Sequence, residues 1–310
     1  MKDYSNILII KMSSLGDVIH ALPTLYALRQ NLPHAKITWA IHEQFASLLP
    51  GTPWVDEVII IDKKQLKSPS YLWNLRKDLH SRHFDMTLDL QCIAKSAIVS
   101  LLSGAPERYG YWELREGSKF VNKALVGAHK YDHVIERYLD TVRVLGGDVE
   151  GVEFPMPHDH AAEGIIRKRL ADLGVTDDYV VVVPGARWIV KEWPLLNFGE
   201  LCIRLCESGK KVIIAGASDD NEKGLFIENY VKHDNLINLV GKTTMAELIE
   251  LIRHCHIYIS ADTGPLHIAN ALKKPLIALF GTTSPHRTGP YGGSHVHIII
   301  SPTSKATPEQ

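Results

Sequence analysis

The chain has 310 residues with 34 Lys and Arg against 35 Asp and Glu, a formal net charge of −1. At roughly 100–200 residues per domain this is a two-domain length, and 45% hydrophobic with 22% charged residues is an ordinary globular composition. Disordered, collagen-like and disulfide-scaffold proteins are therefore excluded, and the neutral balance argues against a general nucleic-acid binder.

Strand-length apolar runs alternate with amphipathic stretches along the sequence. Asn6–Lys11, Lys36–Ile41, Glu57–Asp62 and Met86–Asp89 read as strands, interleaved with helices over Val18–Asn31, Tyr71–His80, Ala94–Leu102 and His133–Leu145. Pro23 lies too deep for a first-turn position and predicts a kink or division of its helix. The stretch Gly151–Asp159, with two prolines and no periodicity, reads as an interdomain linker. Beyond it come a helix near Ala161–Leu173, a strand at Tyr179–Val183, a helix at Pro194–Cys206, a strand at Lys211–Ala215 and a helix at Asn221–Val231. The series closes with Leu236–Val240 (strand), Met245–His254 (helix), His256–Ser260 (strand), Pro265–Leu272 (helix), Pro275–Phe280 (strand) and Val296–Ile300 (strand). This alternation predicts an α/β protein with two doubly wound parallel sheets, one per domain, split at 1–155 and 156–310.

Cys92, Cys202, Cys206 and Cys255 form no C-x-x-C pair and no disulfide framework. The N-terminal apolar run, Ile7 to Ile10, is too short for a signal peptide or a membrane span. The expected location is the cytoplasm, with any membrane contact peripheral.

In doubly wound sheets ligands bind where strands end, so the loops after strands carry the chemistry. In IYISADTGPLHIANAL, Asp262 or Thr263 is placed to cap a helix with Pro265 near its first position. Gly264 permits close backbone approach, and the helix N-terminus offers free N–H groups to an anion, most naturally a phosphate. An ordinarily capped turn would read the same way. In VVVVPGARWIVKEWP, Lys191 can neutralise a leaving diphosphate as a point charge, with Arg187 as a second candidate; the alternative is a solvated loop lysine. In MSSLGD, Gly16 allows a tight approach, and Asp17 is either a helix cap or the carboxylate that accepts a proton from an attacking hydroxyl.

Other patterns are set aside. Gly241-Lys242-Thr243 resembles the end of a P-loop, but Leu236 stands where that motif needs its first glycine. No GxGxxG follows a strand, against a nicotinamide enzyme, and Thr244 with Glu247 is a capping box. His254-Cys255-His256, His295 and His297 lack a partner set at ligand spacing, so no metal site is expected. Cys202 and Cys206 pack a helix face. Lys63–Arg82 holds six basic residues against Asp78, with Tyr71 and Trp73 interleaved: a solvated face, or a docking surface for an anionic acceptor or lipid headgroups.

Six segments in order, SSLGDVIHALP (Ser13–Pro23), DLQCIAKSA (Asp89–Ala97), HVIERY (His133–Tyr138), PGARWIVKEWP (Pro184–Pro194), SADTGPLHIANAL (Ser260–Leu272) and FGTTSP (Phe280–Pro285), resemble the heptosyltransferases of lipopolysaccharide inner-core synthesis. The resemblance covers nearly the whole chain. It implies a GT-B fold, in which two Rossmann-like domains face each other across a cleft. The N-terminal domain takes an anionic lipid-linked saccharide acceptor and the C-terminal domain the nucleotide-sugar donor. The reaction implied is an inverting, metal-independent transfer from ADP-heptose to Kdo-lipid A or to its first heptose. No cofactor is implied beyond the donor, nor any nucleic-acid partner, and the enzyme would work at the inner face of the inner membrane.

By motif match Asp17 would be the general base and Lys191 the stabiliser of the departing ADP. The donor would be held by Pro184, Gly185, Arg187, Lys191, Asp262, Thr263, Gly264, Pro265, Leu266 and His267. The acceptor would be met by Ser13, Ser14, Gly16, Lys63, Lys64, Lys67 and Arg115. The absence of a DxD-type metal motif fits a leaving group held by a lysine and a helix N-terminus. Family members end in a helix that returns across the domain interface; here Ser301–Gln310, with Pro302 and Pro308, predicts none. The readings weighed against a transferase are a sugar-nucleotide epimerase of the same architecture and a non-catalytic nucleotide-sugar-binding module.

Overall fold

The structure, a computed structural model, describes residues 1–176 and 178–302. The chain divides into two compact units, Met1–Pro157 and His158–Gln310, two residues beyond the 155/156 boundary expected from the linker.

Unit 1 begins with β1 (Asn6–Ile10), whose NILII run is covered on both faces as a central parallel strand requires. It continues through α1 (Leu15–Asn31), β2 (Lys36–Ile41), β3 (Glu57–Ile60), α2 (Pro69–Ser81), β4 (Met86–Asp89), α3 (Ala94–Leu102), β5 (Glu107–Tyr111), β6 (Lys123–Leu125) and α4 (Val134–Val144). Its six strands are all parallel, in the order β3-β2-β1-β4-β5-β6.

Unit 2 runs α5 (His160–Asp172), β7 (Tyr179–Val183), α6 (Leu195–Glu207), β8 (Lys211–Ile214), α7 (Asn221–Val231), β9 (Leu236–Asn238) and α8 (Met245–His254). It ends with β10 (Ile257–Ala261), α9 (Gly264–Ala271), β11 (Leu276–Phe280), the single turn α10 (Pro285–Thr288) and β12 (Val296–Ile300). Its parallel sheet has the order β12-β11-β10-β7-β8-β9. Counted from each unit's own first strand, the two orders are identical. Both place the reversal of winding beside that first strand: between β1 and β4 in one unit, between β7 and β10 in the other.

Two expectations are corrected, and a third falls outside the described residues. Helix α1 is continuous despite Pro23 and starts at Leu15 rather than Val18. Every residue from Val18 to Leu25 is buried, so packing outweighs the hydrogen bond that Pro23 cannot donate. Strands β5 and β6 have no counterpart in the sequence reading, because ERYGY and KAL lack an apolar run. Gly110 sits in β5 because a Cβ there would lie 2.8 Å from Cys92 Sγ and 2.7 Å from a Leu114 methyl. The tail expected to lack a closing helix lies mostly at 303–310, outside the described residues.

The four cysteines are free and buried. Cys202 and Cys206 belong to the core between α6 and the unit 2 sheet, and burial pushes their thiols up to about 12 and about 11. They are packing groups of this core.

Candidate active site

In unit 1 the loop after β1 meets the loop after β4 at the winding reversal. The Gln91 side-chain oxygen accepts from the N–H of Met12 (3.2 Å) and of Ser13 (3.1 Å), tying the loops together. Ser14 occupies the N-cap of α1, and Asp17, three residues on, accepts at Oδ2 from Ser14 N (3.1 Å) and Ser14 Oγ (2.6 Å). Asp17 is thus a capping residue in the geometric sense. Both of these bonds fall on one oxygen, and a carboxylate has about four acceptor sites, so capping does not by itself exhaust its capacity for a proton. Ser13, Ser14, Gly16 and Asp17 are all half-buried, neither sealed in the core nor freely solvated.

Lys11, which the sequence reading passed over, lies buried beneath this loop. It donates to Leu90 O at 3.0 Å and to Tyr138 Oη at 2.9 Å. Burial pulls its pKa below the usual lysine range, with the carboxylates of Asp17 and Asp89 acting against that pull. Burial, followed by the Asp17 charge, pushes the Tyr138 hydroxyl up. A lysine closing an otherwise apolar strand was the available signal.

Asp89, at the end of β4, is pushed up to about 6 by burial although it accepts from Cys92 N, Gln91 N, Ser96 Oγ and Asn122 Nδ2. It anchors the β4–α3 loop. Arg115 is exposed in the loop after β5, and its N–H donates to Cys92 O at 3.0 Å, fixing it to the same loop cluster. Its positive charge acts on both Lys11 and Tyr138.

Lys63, Lys64 and Lys67 are exposed at the end of edge strand β3, two strands from β1 and so about 10 Å across the sheet. Farther along, α2 presents an open groove lined by Trp73, Arg76, Lys77 and His80. Arg82 is committed elsewhere, paired with Glu57 and with Asp78.

In unit 2 three loops converge on one carboxylate. Lys191 Nζ is 2.7 Å from Asp262 Oδ2, and Thr283 Oγ1 donates to the same oxygen at 2.7 Å. Thr282 Oγ1 donates to Val190 O at 3.0 Å. The loops after β7, β10 and β11 are therefore stitched together at the winding reversal. Lys191 is not a solvated lysine; it is held by a buried aspartate. Thr282 and Thr283 lie within FGTTSP, but hydroxyls in loops carry no periodic signal that marks them.

The β7 loop is braced from behind. Ala186 N donates to Glu192 Oε1 at 3.1 Å, Lys223 pairs with Glu192, and Lys223 is 2.8 Å from Asp220. Gly185 permits this: a Cβ there would lie 2.2 Å from Asp220 Oδ1. Pro184 and Gly185 are buried, whereas Arg187, Trp188, Ile189 and Val190 are exposed.

Thr263 takes the N-cap position of α9 with extended backbone, but its side chain makes no capping bond, contrary to the expected cap; Asp262 spends its carboxylate on Lys191 and Thr283. Gly264 opens the helix, Pro265 follows, and Leu266 and His267 are buried. The positive end of α9 thus begins two residues after the Lys191–Asp262 pair.

No metal ligands were expected, yet His158, His160 and Glu163 bring ligand atoms within 4.8 Å of one another. His158 falls in the stretch Gly151–Asp159 that reads as a linker from sequence.

A profile of glycosyltransferase family 9 (heptosyltransferase) matches residues 72–310. The chain belongs to this family. It is 29% identical over 306 residues to lipopolysaccharide heptosyltransferase 1 of Pseudomonas aeruginosa, covering 94% of this chain and 83% of that protein. Escherichia coli heptosyltransferase WaaC, solved with ADP, superposes with a TM-score of 0.79 at 27% identity, covering 96% of this chain and 93% of that one. The family 9 glycosyltransferase of Veillonella parvula gives a TM-score of 0.87 at 24% identity over 96% of this chain and 86% of that chain. The fold is GT-B in class and the chain is a glycosyltransferase, so the epimerase and non-catalytic readings fall. No helix among the described residues is long and apolar enough to cross a membrane.

Proposed function

We propose that this heptosyltransferase moves heptose from ADP-heptose to the inner core of lipopolysaccharide, onto Kdo-lipid A or its first heptose, with inversion and without a catalytic metal. The reading rests above all on Lys191 held against Asp262 beside the start of α9. A departing diphosphate needs positive charge placed before the bond breaks, and a fixed lysine with a helix N-terminus supplies it. Those are the roles a metal would otherwise fill.

Unit 2 takes the donor. Asp262 aims Lys191 rather than meeting phosphate, and the first turn of α9, opening at Gly264 and Pro265 with Leu266 and His267 behind them, presents its positive end to the diphosphate. Pro184 and Gly185 shape the loop, and Arg187 adds a second cation. Unit 1 takes the acceptor. Asp17 accepts the proton of the attacking hydroxyl, while Ser13, Ser14 and Gly16 frame it. Arg115, held to the loop after β4 through Cys92 O, grips an acidic acceptor sugar; Lys63, Lys64 and Lys67 meet the outer anionic groups. The enzyme works in the cytoplasm, in peripheral contact with the inner membrane, where its lipid-linked acceptor resides.

The test is a mass shift of one heptose on Kdo₂-lipid A, or on the singly heptosylated acceptor, after incubation with ADP-heptose in EDTA. The anomeric configuration of the product reports inversion. No product with either acceptor would sink the substrate assignment, and turnover that stops in EDTA while the chain stays folded would overturn the metal-independent mechanism.

A further inference from the structure

Unit 2 begins with His158-Asp159-His160, where α5 starts. Asp159 caps that helix, its Oδ1 accepting from the N–H of Ala161 and Ala162 at 3.0 Å each, so the backbone of both flanking histidines is fixed. The two imidazole rings lie 4.2 Å apart, tilted by 51°. Each presents a nitrogen to one oxygen: His158 Nε2 is 2.9 Å and His160 Nδ1 3.5 Å from Glu163 Oε2. A four-coordinate ion with bonds of about 2.0–2.1 Å separates its donors by about 3.3 Å, and the two distances bracket that value.

The surroundings hold the carboxylate in place. Glu163 Oε1, the oxygen turned away from the histidine pair, accepts from Arg167 Nε at 2.9 Å; His254 Nε2 lies 3.0 Å away without making a hydrogen bond. This is the kind of outer contact that orients a ligating carboxylate. On the other side Glu250 Oε2 is 3.8 Å from His158 Nε2, while Glu250 is itself paired with Arg253 and accepts from Asp159 N. Two carboxylates offset two guanidinium groups, so a cation meets no net repulsion from the four. Two imidazoles and one carboxylate favour zinc and its transition-metal neighbours over magnesium or calcium. The His160 side chain is 82% exposed, which leaves the position reachable and the ring free to swing into register.

We propose that His158 Nε2, His160 Nδ1 and Glu163 Oε2 bind a divalent transition-metal ion of the zinc class, with water completing the shell. The site lies on the first turn of α5 and the residues leading into it. It uses none of the residues assigned to donor or acceptor, and it fastens α5 by its first turn, with His254 of α8 behind the carboxylate.

The experiment uses the untagged full chain, stripped with chelator and titrated with Co²⁺ alone. Expected are one equivalent bound with the intense visible absorption of a four-coordinate ion, displacement by Zn²⁺, and a rise in Tm with Zn²⁺. His160→Gln, whose side chain is exposed, and His158→Gln should each weaken binding at least tenfold and abolish the Zn²⁺-dependent rise in Tm. His256→Gln, outside the set, should bind as the parent does. Absence of Co²⁺ binding, or binding that both variants leave unchanged, overturns the site.

Discussion

The two units share one strand order and differ in what they place at the reversal of winding. Unit 1 puts an acid there, Asp17, with a buried lysine and a tyrosine hydroxyl beneath it. Unit 2 puts a cation there, Lys191, held by a buried acid and followed by an open helix N-terminus. The same topology thus carries opposite charge arrangements. One is suited to accepting a proton and the other to receiving an anion, and the difference lies wholly in the loops.

The comparison breaks most visibly at Asp17. Asp17→Asn keeps an acceptor oxygen for Ser14 but has no basic carboxylate, and transfer should fall by about 10²–10⁴-fold with ADP binding nearly intact. Single-turnover transfer and ADP titration measure both; unchanged transfer would leave Asp17 a cap and nothing more.

Lys191→Ala tests the other pole. Loss of one preplaced positive group should lower kcat/KM for the donor by about 10²-fold, with acceptor KM within twofold. Equal donor kinetics would remove Lys191 from the reaction. The variant also leaves Asp262 buried without its ion-pair partner, so loss of about 1–3 kcal/mol of stability is expected in denaturant unfolding.

Gly185→Ala asks whether the brace behind the β7 loop matters. With Asp220 Oδ1 only 2.2 Å from the new methyl, the Asp220 carboxylate must leave Lys223 or the loop must shift, and either change loosens the brace, so donor KM should rise about tenfold while acceptor binding stays unchanged. An unchanged donor KM would show that the brace does not set the loop's position.

The smallest effect is expected far from either loop cluster. Hydrogen bonds from Lys2, Tyr4 and Tyr109 hold the Glu107 carboxyl down to about 2, against 4.5 for the unperturbed group. Because the folded pKa is depressed, this stabilisation is present above about pH 4.5 and is lost as pH falls towards 2. Glu107 is solvent-accessible, so Glu107→Gln should cost about 1 kcal/mol or less at pH 7, and progressively less as pH falls through about 2. Denaturant midpoints across that range test it, and a difference that persists in acid would contradict it.

Much of this was legible from residues. Strands such as NILII and YVVVV, with helices between them, announce parallel sheets because a strand covered on both faces must be apolar throughout. Asp17, Lys191 and Thr263 could be picked out because loops that follow such strands reach the ligand-binding edge. Glu107–Tyr111 was not legible, since a strand near the sheet edge with a glycine under a cysteine carries no apolar run. Lys11 and Tyr138, separated by 127 residues, could not be seen to meet.

The sequence by itself announced most of the strand–helix alternation, because periodicity is a local property of a chain, and its motifs in order carried the resemblance to the family. The tertiary structure alone decided that Lys191 faces Asp262, that Thr283 joins them, and that His158 and His160 share one oxygen of Glu163. These are matters of where side chains point once strands far apart in sequence lie side by side. A pair 71 residues apart leaves no periodic trace, yet at 2.7 Å it sets the charge of the site.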